Sequence, residues 1–533
     1  MNSFASPIPI VDLFAGPGGL GEGFSSLHDG SSFQIKVSAE KDPIARKTLR
    51  LRAYYRLLKS QFREGLEDYY LFCNGKSQLP YTEKTKAFWD KANTEAMCIA
   101  IGSPEGNCRL DAEITNALAQ KDKNLPWVLI GGPPCQAYSI AGRSRNKGIA
   151  DYKPENDQRH FLYLEYLRII QNNRPDIFVM ENVKGILSSK VNGDYIFHQI
   201  LRDLANPNIA LNKADNNLQY NIVSLVCDEV FKDGDDPENI DSSKFIIRAE
   251  EYGIPQSRHR VILLGIRSDH FKEGLILPKL ASKPPITVKS VIGKLPRLRS
   301  KLSRGNDSPD AWEKQIKEGL KELANDAIKV GLAQNFVDAI RKTAGMLSYV
   351  ETGALRYPKE SNEGCTGSSD LNEWFRDDNL KVWLNHETRG HRIDDLIRYG
   401  FAACFAETQG RSPKGHKEFC LKSLAPAHKN WESGHFSDRF RVQLANSPST
   451  TITSHISKDG HYFIHFDPRQ CRSLTVREAA RLQTFPDNYF FEGGRTQQYH
   501  QVGNAVPPLL AQKIASLVLD ILKKTHSFDG EGR

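Results

Sequence analysis

Six short stretches concentrate the apolar side chains of the chain: IPIVDLF from Ile8, FQIKVSAE from Phe33, WVLIGG from Trp127, DIFVMENV from Asp176, YNIVSLV from Tyr220 and RVILLG from Arg260. Short apolar runs of this kind fit strands buried on both faces, as in a parallel sheet. Between most of them the period lengthens to that of a helix. In RHFLYLEYLRIIQNN from Arg159, for example, Phe161, Leu164, Tyr166 or Leu167 and Ile170 fall on one face. Strand, helix, strand in this order predicts an α/β fold built on a doubly wound parallel sheet.

Two segments depart from the alternation. From about residue 50 to 125 a polar, Tyr- and Lys-rich helical insertion intervenes, with AYYRLLKSQFREGLEDYYLF as its clearest element. After Arg267 the chain becomes Pro-rich and basic, then helical around Trp312 to Leu347, then loop-rich to about Ser457, which reads as a separate domain. Sheet-like and helical signals return in HYFIHF from His461, in TVREAARLQTF with Thr475 as a helix cap, and in the closing helix PPLLAQKIASLVLDILKK. The stretch QVGNAVPP reads as a tight loop leading into that last helix.

With 533 residues, 39% hydrophobic content and a mean hydropathy of −0.49, the chain has material for two or three globular domains. The apolar runs fall short of the ~20 residues of a spanning helix. The start MNSFASPIPIVDLF lacks the basic region and long apolar core of a secretory signal, so a cytoplasmic protein without a membrane segment is expected. Nine scattered cysteines with no CxxC pair argue against a disulfide framework and a zinc ribbon. A net charge of +8 is compatible with a polyanionic partner without establishing one.

The chemistry gathers at strand ends. WVLIGGPPCQAYS runs a buried strand into Gly131 to Pro134 and presents Cys135 at the carboxyl edge, where open α/β sheets bind ligands. A buried structural thiol is the competing reading. VDLFAGPGGLGEGF ends the first strand in Gly16, Gly18, Gly19 and Gly21, formally G-x-G-x-x-G, and Glu40 closes the second strand where a carboxylate holds ribose hydroxyls. Either a dinucleotide or S-adenosyl-L-methionine satisfies that pattern, as does a ligand-free tight turn. MENVKG puts Glu181 at the same edge, and EYGIPQSRHRVILLG sets Arg258 and Arg260 just before another strand. Singly, these residues read better as a surface carboxylate and salt-bridge partners. Their joint occurrence on strand ends favours one shared site.

In order along the chain, DLFAGPGGL, GGPPCQAYS, ENVKG, PQSRHRVILLG, LTVREAARLQTFPD and QVGNAVPP resemble the DNA (cytosine-5)-methyltransferase family, from Asp12 to Pro508. The resemblance implies a Rossmann-like S-adenosylmethionine-dependent methyltransferase sheet. Residues 1–270 would form the catalytic and cofactor-binding domain, 271–455 an inserted, loop-rich target-recognition domain, and 456–533 a return to the catalytic domain. Cys135 would add to ring carbon 6 of a flipped-out cytosine, with Glu181 as the acid at ring nitrogen 3. Arg260 would hold the carbonyl oxygen of the base, and Arg258 would brace the site or a phosphate.

By the same resemblance Phe14, Gly16, Gly18, Leu20, Glu40, Pro133, Leu162, Asn504 and Ala505 bind S-adenosyl-L-methionine. Gln136, Ser139, Arg143 and Arg145, in the loop after Cys135, contact DNA, with Lys147 a further phosphate partner; a merely solvated basic loop is the ordinary alternative. Two positions depart from the family. Lys41 stands where relatives often carry an aromatic residue, and the acid expected at the adenine amino group is obscured by the insertion, leaving Glu105 or Asp111. No metal is required, and His455, His461 and His465 read as strand residues. The expected partner is double-stranded DNA, bound by a monomer, with a restriction endonuclease or other defence proteins as companions. A transfer RNA methyltransferase is the alternative, disfavoured by the long segment before residue 455. An inactive DNA-binding relative is disfavoured by the presence of Cys135, Glu181 and Arg260. A dinucleotide oxidoreductase gives Pro-Pro-Cys and Glu-Asn-Val no role.

Overall fold

The computed structural model describes residues 4–134, 158–191, 193–214, 217–272, 274–348, 350–361, 363–421, 424 and 439–526. Its central sheet contains β1 (Ile8–Leu13), β2 (Phe33–Glu40), β3 (Ala96–Cys98), β4 (Val128–Gly131), β5 (Ile177–Val183), β6 (Tyr220–Val223), β7 (Val230–Phe231), β8 (Ile246–Arg248) and β9 (His259–Arg267). Across the sheet the order is β3-β2-β1-β4-β5-β9-β6-β7, with β8 also paired to β9. The alternation within β1 shows why apolar runs mark these strands. Ile8 and Ile10 pack in one layer with Leu510, Ile514 and Val518 of the closing helix, while Val11 and Leu13 join Tyr166, Leu167 and Ile170 in the other.

The sheet is not wholly parallel, contrary to the expectation. β9 runs antiparallel to both of its neighbours, β5 and β6. The chain returns to it through β8, which pairs with β9 as an antiparallel partner, and a hairpin return reverses direction where a crossover helix would not. The reversal places the start of β9 at the carboxyl edge of β5, with Arg260 opposite Val183 and Ile262 opposite Glu181.

The alternation also continues through residues 50–125. β3 extends the sheet parallel to β2, and the following helix Pro104–Ala119 buries Leu110 and Ile114. The inserted helices are therefore Pro43–Gln61, Leu66–Cys73 and Lys86–Glu95, and AYYRLLKSQFREGLEDYYLF is two helices broken at Phe62 to Gly65. Tyr54, Tyr55 and Tyr69 from this insertion share a core with Leu380, Leu384 and Phe490, so it works as a strut between the sheet and the middle of the chain.

Beyond Arg267, helices Pro309–Lys329, Gln334–Gly345 and Ile393–Gln409 build a core of their own around Trp312, Leu320, Val337 and Phe401. The third of these lies where loops were expected. HYFIHF forms no strand: Ile464 makes only isolated bridges to Val442 and Ser473. Thr475 does cap helix Val476–Leu482, in a capping box with Glu478. QVGN closes helix Arg495–Asn504 rather than opening a loop, and only residues 505–507 separate it from the closing helix. The run Arg495–His526 is long and apolar enough by composition to cross a membrane, but 67% of its apolar window is buried inside the fold.

Four buried histidines, His386, His391, His461 and His465, make the middle of the chain acid-sensitive. Desolvation pushes each one down to about 4 from the ordinary 6.5. A folded-state value below the unfolded one means stability fully present above about pH 6.5 and lost as pH falls toward 4. The loss amounts to as much as about 3 kcal/mol per histidine. Lowering the pH from 7 to 4.5 should therefore abolish the near-UV circular dichroism of this region, whereas a thermal midpoint flat across that window would contradict the assignment.

Candidate active site

The site begins where β1 ends. Phe14 and Gly16 both take left-handed backbone at φ +57°, and Gly18 follows at φ +95° as the N-cap of helix Gly19–Ser26. A side chain at Gly18 would be strained by that angle and would meet Leu49 Cδ1 at 2.7 Å. The turn delivers the Gly16 N–H to Glu40 Oε2 at 2.7 Å, and the Asp42 N–H donates to Glu40 Oε1 at 2.7 Å. Burial raises the Glu40 carboxyl above its ordinary value, against the pull of those two donors. The group is thereby fixed at the tip of β2 with lone pairs left for a ligand.

A cavity of about 760 Å³ opens along this edge. Phe14, Gly16, Leu20, Glu40, Pro133, Leu162, Asn504 and Ala505 line it, and so do Glu181, Arg258 and Arg260. Gly18 does not; it supports the turn from beneath. Neither acid suggested for the adenine end reaches the cavity. Glu105 is exposed on the first turn of its helix, and Asp111 pairs with Arg168 at 2.7 Å. Ile99 and Ile101, just past β3, line the cavity instead, beside Lys41. Asp12 also lines it, fully buried, with no hydrogen-bond partner for either carboxylate oxygen among the described residues; burial pushes it up to about 8, leaving it neutral at pH 7.

Glu181 and Arg260 meet because β5 and β9 run in opposite directions. Arg260 Nε lies 2.8 Å from Glu181 Oε1 as an ion pair, though its N–H is not aligned for a hydrogen bond, and Arg260 Nη1 donates to the His259 carbonyl. The bare backbone of Gly132 makes room for the carboxylate, since a Cβ there would stand 3.1 Å from Glu181 Oε2. Arg258, 2% exposed, donates from Nη1 to Ile452 O at 2.9 Å and to Gly503 O at 3.4 Å. Burial, reinforced by Arg260, holds its pKa well below the ordinary arginine value. Its contacts make it a brace joining three segments. Cys135, Gln136, Ser139, Arg143, Arg145 and Lys147 lie outside the described residues; Pro134, the chain neighbour of Cys135, lines the cavity.

The model of the C-5 cytosine-specific DNA methylase family matches residues 107–211 and 242–519, well over half of the chain. This chain belongs to that family. The methylase is 32% identical to the type II methyltransferase M.Bpa9945I of Bacillus paralicheniformis, over 97% of its own length and 100% of that relative. It is 25% identical to the DNA (cytosine-5-)-methyltransferase M.ApeKI of Aeropyrum pernix, over 74% of its length and 81% of the relative. Among solved structures it aligns with the Entamoeba histolytica methyltransferase EhMeth over 97% of this chain and 99% of that one, at 13% identity and a TM-score of 0.42.

Several cavity residues of the methylase escaped the sequence reading. Gln497, His500 and Gln501 line it together with Asn504. Their spacing of three, four and seven is a polar stripe on one helix face, a signal hidden once QVGN was read as a loop. Thr453 and Ser454 enter beside that helix, packed against Gly503, and Asn182, inside the quoted ENVKG, sits between Glu181 and Val183 with its amide donating to Pro133 O at 3.4 Å. The histidines correct another expectation. His461 and His465 are buried in the core, and His455 sits in the short 3-10 turn Ser454–Ser457, so none is a strand residue.

Proposed function

We propose that this methylase transfers the methyl group of S-adenosyl-L-methionine to carbon 5 of a cytosine flipped out of a specific duplex DNA sequence, through a covalent adduct of Cys135 at ring carbon 6. The observation that carries the reading is the Glu181–Arg260 pair, 2.8 Å apart, in one cavity with Glu40 and the residue that precedes Cys135.

The cavity fits the cofactor. Glu40 is presented for ribose hydroxyls, Ile99, Ile101 and Leu162 offer an apolar surface to adenine, and Phe14, Gly16 and Asn504 are available to the methionine part. Bound there, S-adenosyl-L-methionine supplies an electrophilic methyl group. Carbon 5 of cytosine is a poor nucleophile until the Cys135 thiolate adds at carbon 6. Glu181 gives a proton to ring nitrogen 3 as negative charge gathers on the ring, and Arg260 holds the carbonyl oxygen. After methylation a base such as water takes the proton from carbon 5, the thiolate is expelled, and the proton on ring nitrogen 3 returns to the Glu181 carboxylate, which restores the neutral ring. A stacked base offers neither face to attack, so the cytosine must leave the helix.

Residues 271–455 serve as the target-recognition domain in this reading. A groove of about 510 Å³ lined by Arg441, Thr450, His455 and Tyr462 shares Thr453 with the reaction cavity and would seat DNA beside the target base. Exchanging residues 271–455 with the corresponding segment of a relative should move methylation to that relative's site; persistence at the original sequence, read by bisulfite sequencing, would refute the assignment. The enzyme would act as a monomer in the cytoplasm, beside a restriction endonuclease or other defence proteins. Labelled S-adenosyl-L-methionine and duplex DNA, followed by nucleoside analysis, test the activity itself. Label on 5-methylcytosine is expected; label only on adenine, on the exocyclic amine of cytosine or on transfer RNA would reject the proposal.

A further inference from the structure

The antiparallel course of β9 has a second result at the opposite, amino edge of the sheet. It carries His270, just past the strand, to Asp176, which precedes β5, and the end of the closing helix brings His526 to the same point. One ligand atom from each of Asp176, His270 and His526 lies within 4.8 Å of the others. His270 Nε2 is 2.9 Å and His526 Nε2 3.8 Å from Asp176 Oδ1. Two donors bound to one tetrahedral zinc ion stand about 3.3 Å apart, so these separations bracket what such an ion requires. We propose that Asp176, His270 and His526 form a binding site for a divalent transition-metal ion, zinc in the first place, which ties the closing helix to the sheet.

The surrounding contacts orient two of the three donors, Asp176 and His526, as metal ligands are oriented. Asp176 Oδ2 accepts the Trp127 N–H at 2.8 Å, which leaves Oδ1 to face the cluster. His526 Nδ1 is 3.0 Å from the Leu522 carbonyl and 3.0 Å from Thr525 Oγ1, and donation to that carbonyl puts the proton on Nδ1 and the lone pair on Nε2. A lone pair and a carboxylate oxygen then face each other with no proton between them, an arrangement that a cation completes. The imidazole rings of His270 and His526 stack at 4.6 Å, and Phe4 covers His526 edge-on.

Arg267 is the competitor. Its Nη2 reaches His270 Nε2 and lies 3.2 Å from Asp176 Oδ1. His270 Nε2 cannot accept from Arg267 and donate to Asp176 at once, so without an ion one of these contacts is frustrated. Arg267 Nε and Nη1 are held separately, by Asp269 at 2.8 Å and by Arg174 O at 2.9 Å, so Nη2 can yield its place without releasing the side chain. Side-chain exposures of 19% for His270 and 17% for His526 leave an entry path for an ion. Two imidazoles and a carboxylate suit zinc, nickel, cobalt or copper better than calcium or magnesium.

The test uses the full chain stripped with EDTA and titrated with zinc alone by calorimetry. One equivalent should bind and raise the thermal midpoint, and Asp176→Asn and His526→Gln should weaken binding at least about tenfold, the scale on which perturbed metal sites lose affinity. Methyl transfer by the stripped protein should be unchanged, because the site lies at the far edge from the reaction cavity. Should the variants misfold, cobalt(II) added to the wild-type chain keeps the question open to decision: the intense visible bands of a bound low-coordinate ion are expected, and the weak spectrum of the hydrated ion would overturn the site. Zinc binding by the wild type no tighter than by His526→Gln would likewise overturn it and leave an ion-pair clamp only.

Discussion

Cys135→Ser should abolish methyl transfer, by at least about 10⁴-fold in single-turnover label incorporation, the order of loss seen when a covalent nucleophile is removed. A serine hydroxyl ionises far above neutral pH, so almost no anion is present to add to carbon 6. Binding of S-adenosylhomocysteine, measured by calorimetry, should survive, because Glu40 is fixed by Gly16 and Asp42, in the turns just past β1 and β2. The buried thiols are poor substitutes. Cys73 and Cys404 are buried and pushed up to about 12, and the buried Cys471 is raised well above its ordinary value. Of the exposed thiols Cys98, Cys108 and Cys420, Cys98 stands at the end of β3 opposite Glu40, and a Cys98→Ala control must acquit it. Turnover of Cys135→Ser within tenfold of the wild type would move the nucleophile elsewhere.

Glu181→Gln should slow transfer by ~100-fold or more, the scale of losing a positioned general acid. Glutamine keeps the volume beside Gly132 and a carbonyl oxygen for Arg260, so the fold should persist while the proton for ring nitrogen 3 is missing. The KM for S-adenosyl-L-methionine should change little, since the residues assigned to that ligand lie on other strands and loops. A variant whose only defect is a raised cofactor KM would place Glu181 in cofactor binding and contradict its role as the acid. Equal loss in thermal midpoint and rate would reduce the residue to a structural partner of Arg260.

The legibility of this molecule follows from range. Side-chain pattern reports what a residue meets on its own face, so the six apolar runs became six strands and a tight glycine turn was expected after Leu13, though not which of its glycines face the cavity. Strand direction depends on the connection. Nothing in RVILLG distinguishes a parallel strand from the antiparallel β9, whose course is set by the hairpin with β8. β3 was lost because its three residues carry no period. The joint presence of Glu181 and Arg260 came from family resemblance and strand-end logic, but their contact came from that unexpected reversal. The contacts of Arg258 with Ile452 and Gly503 span 194 and 245 positions, a reach no local pattern encodes. On the family model, the matched segments flank a break at residues 212–241, where β6 and β7 lie, so resemblance too was silent there.

The covalent adduct is the claim on which the rest depends, and fluorine at carbon 5 tests it most directly. The final step removes a proton from that carbon, and fluorine cannot leave as a cation, so duplex DNA with 5-fluorocytosine at the target should hold the enzyme permanently. Incubated with S-adenosyl-L-methionine and run on a denaturing gel, the wild-type chain should migrate as a one-to-one complex with the DNA, and Cys135→Ser should migrate free. Trapping undiminished in Cys135→Ser, or no trapping of a wild-type enzyme that methylates ordinary DNA, would contradict the mechanism.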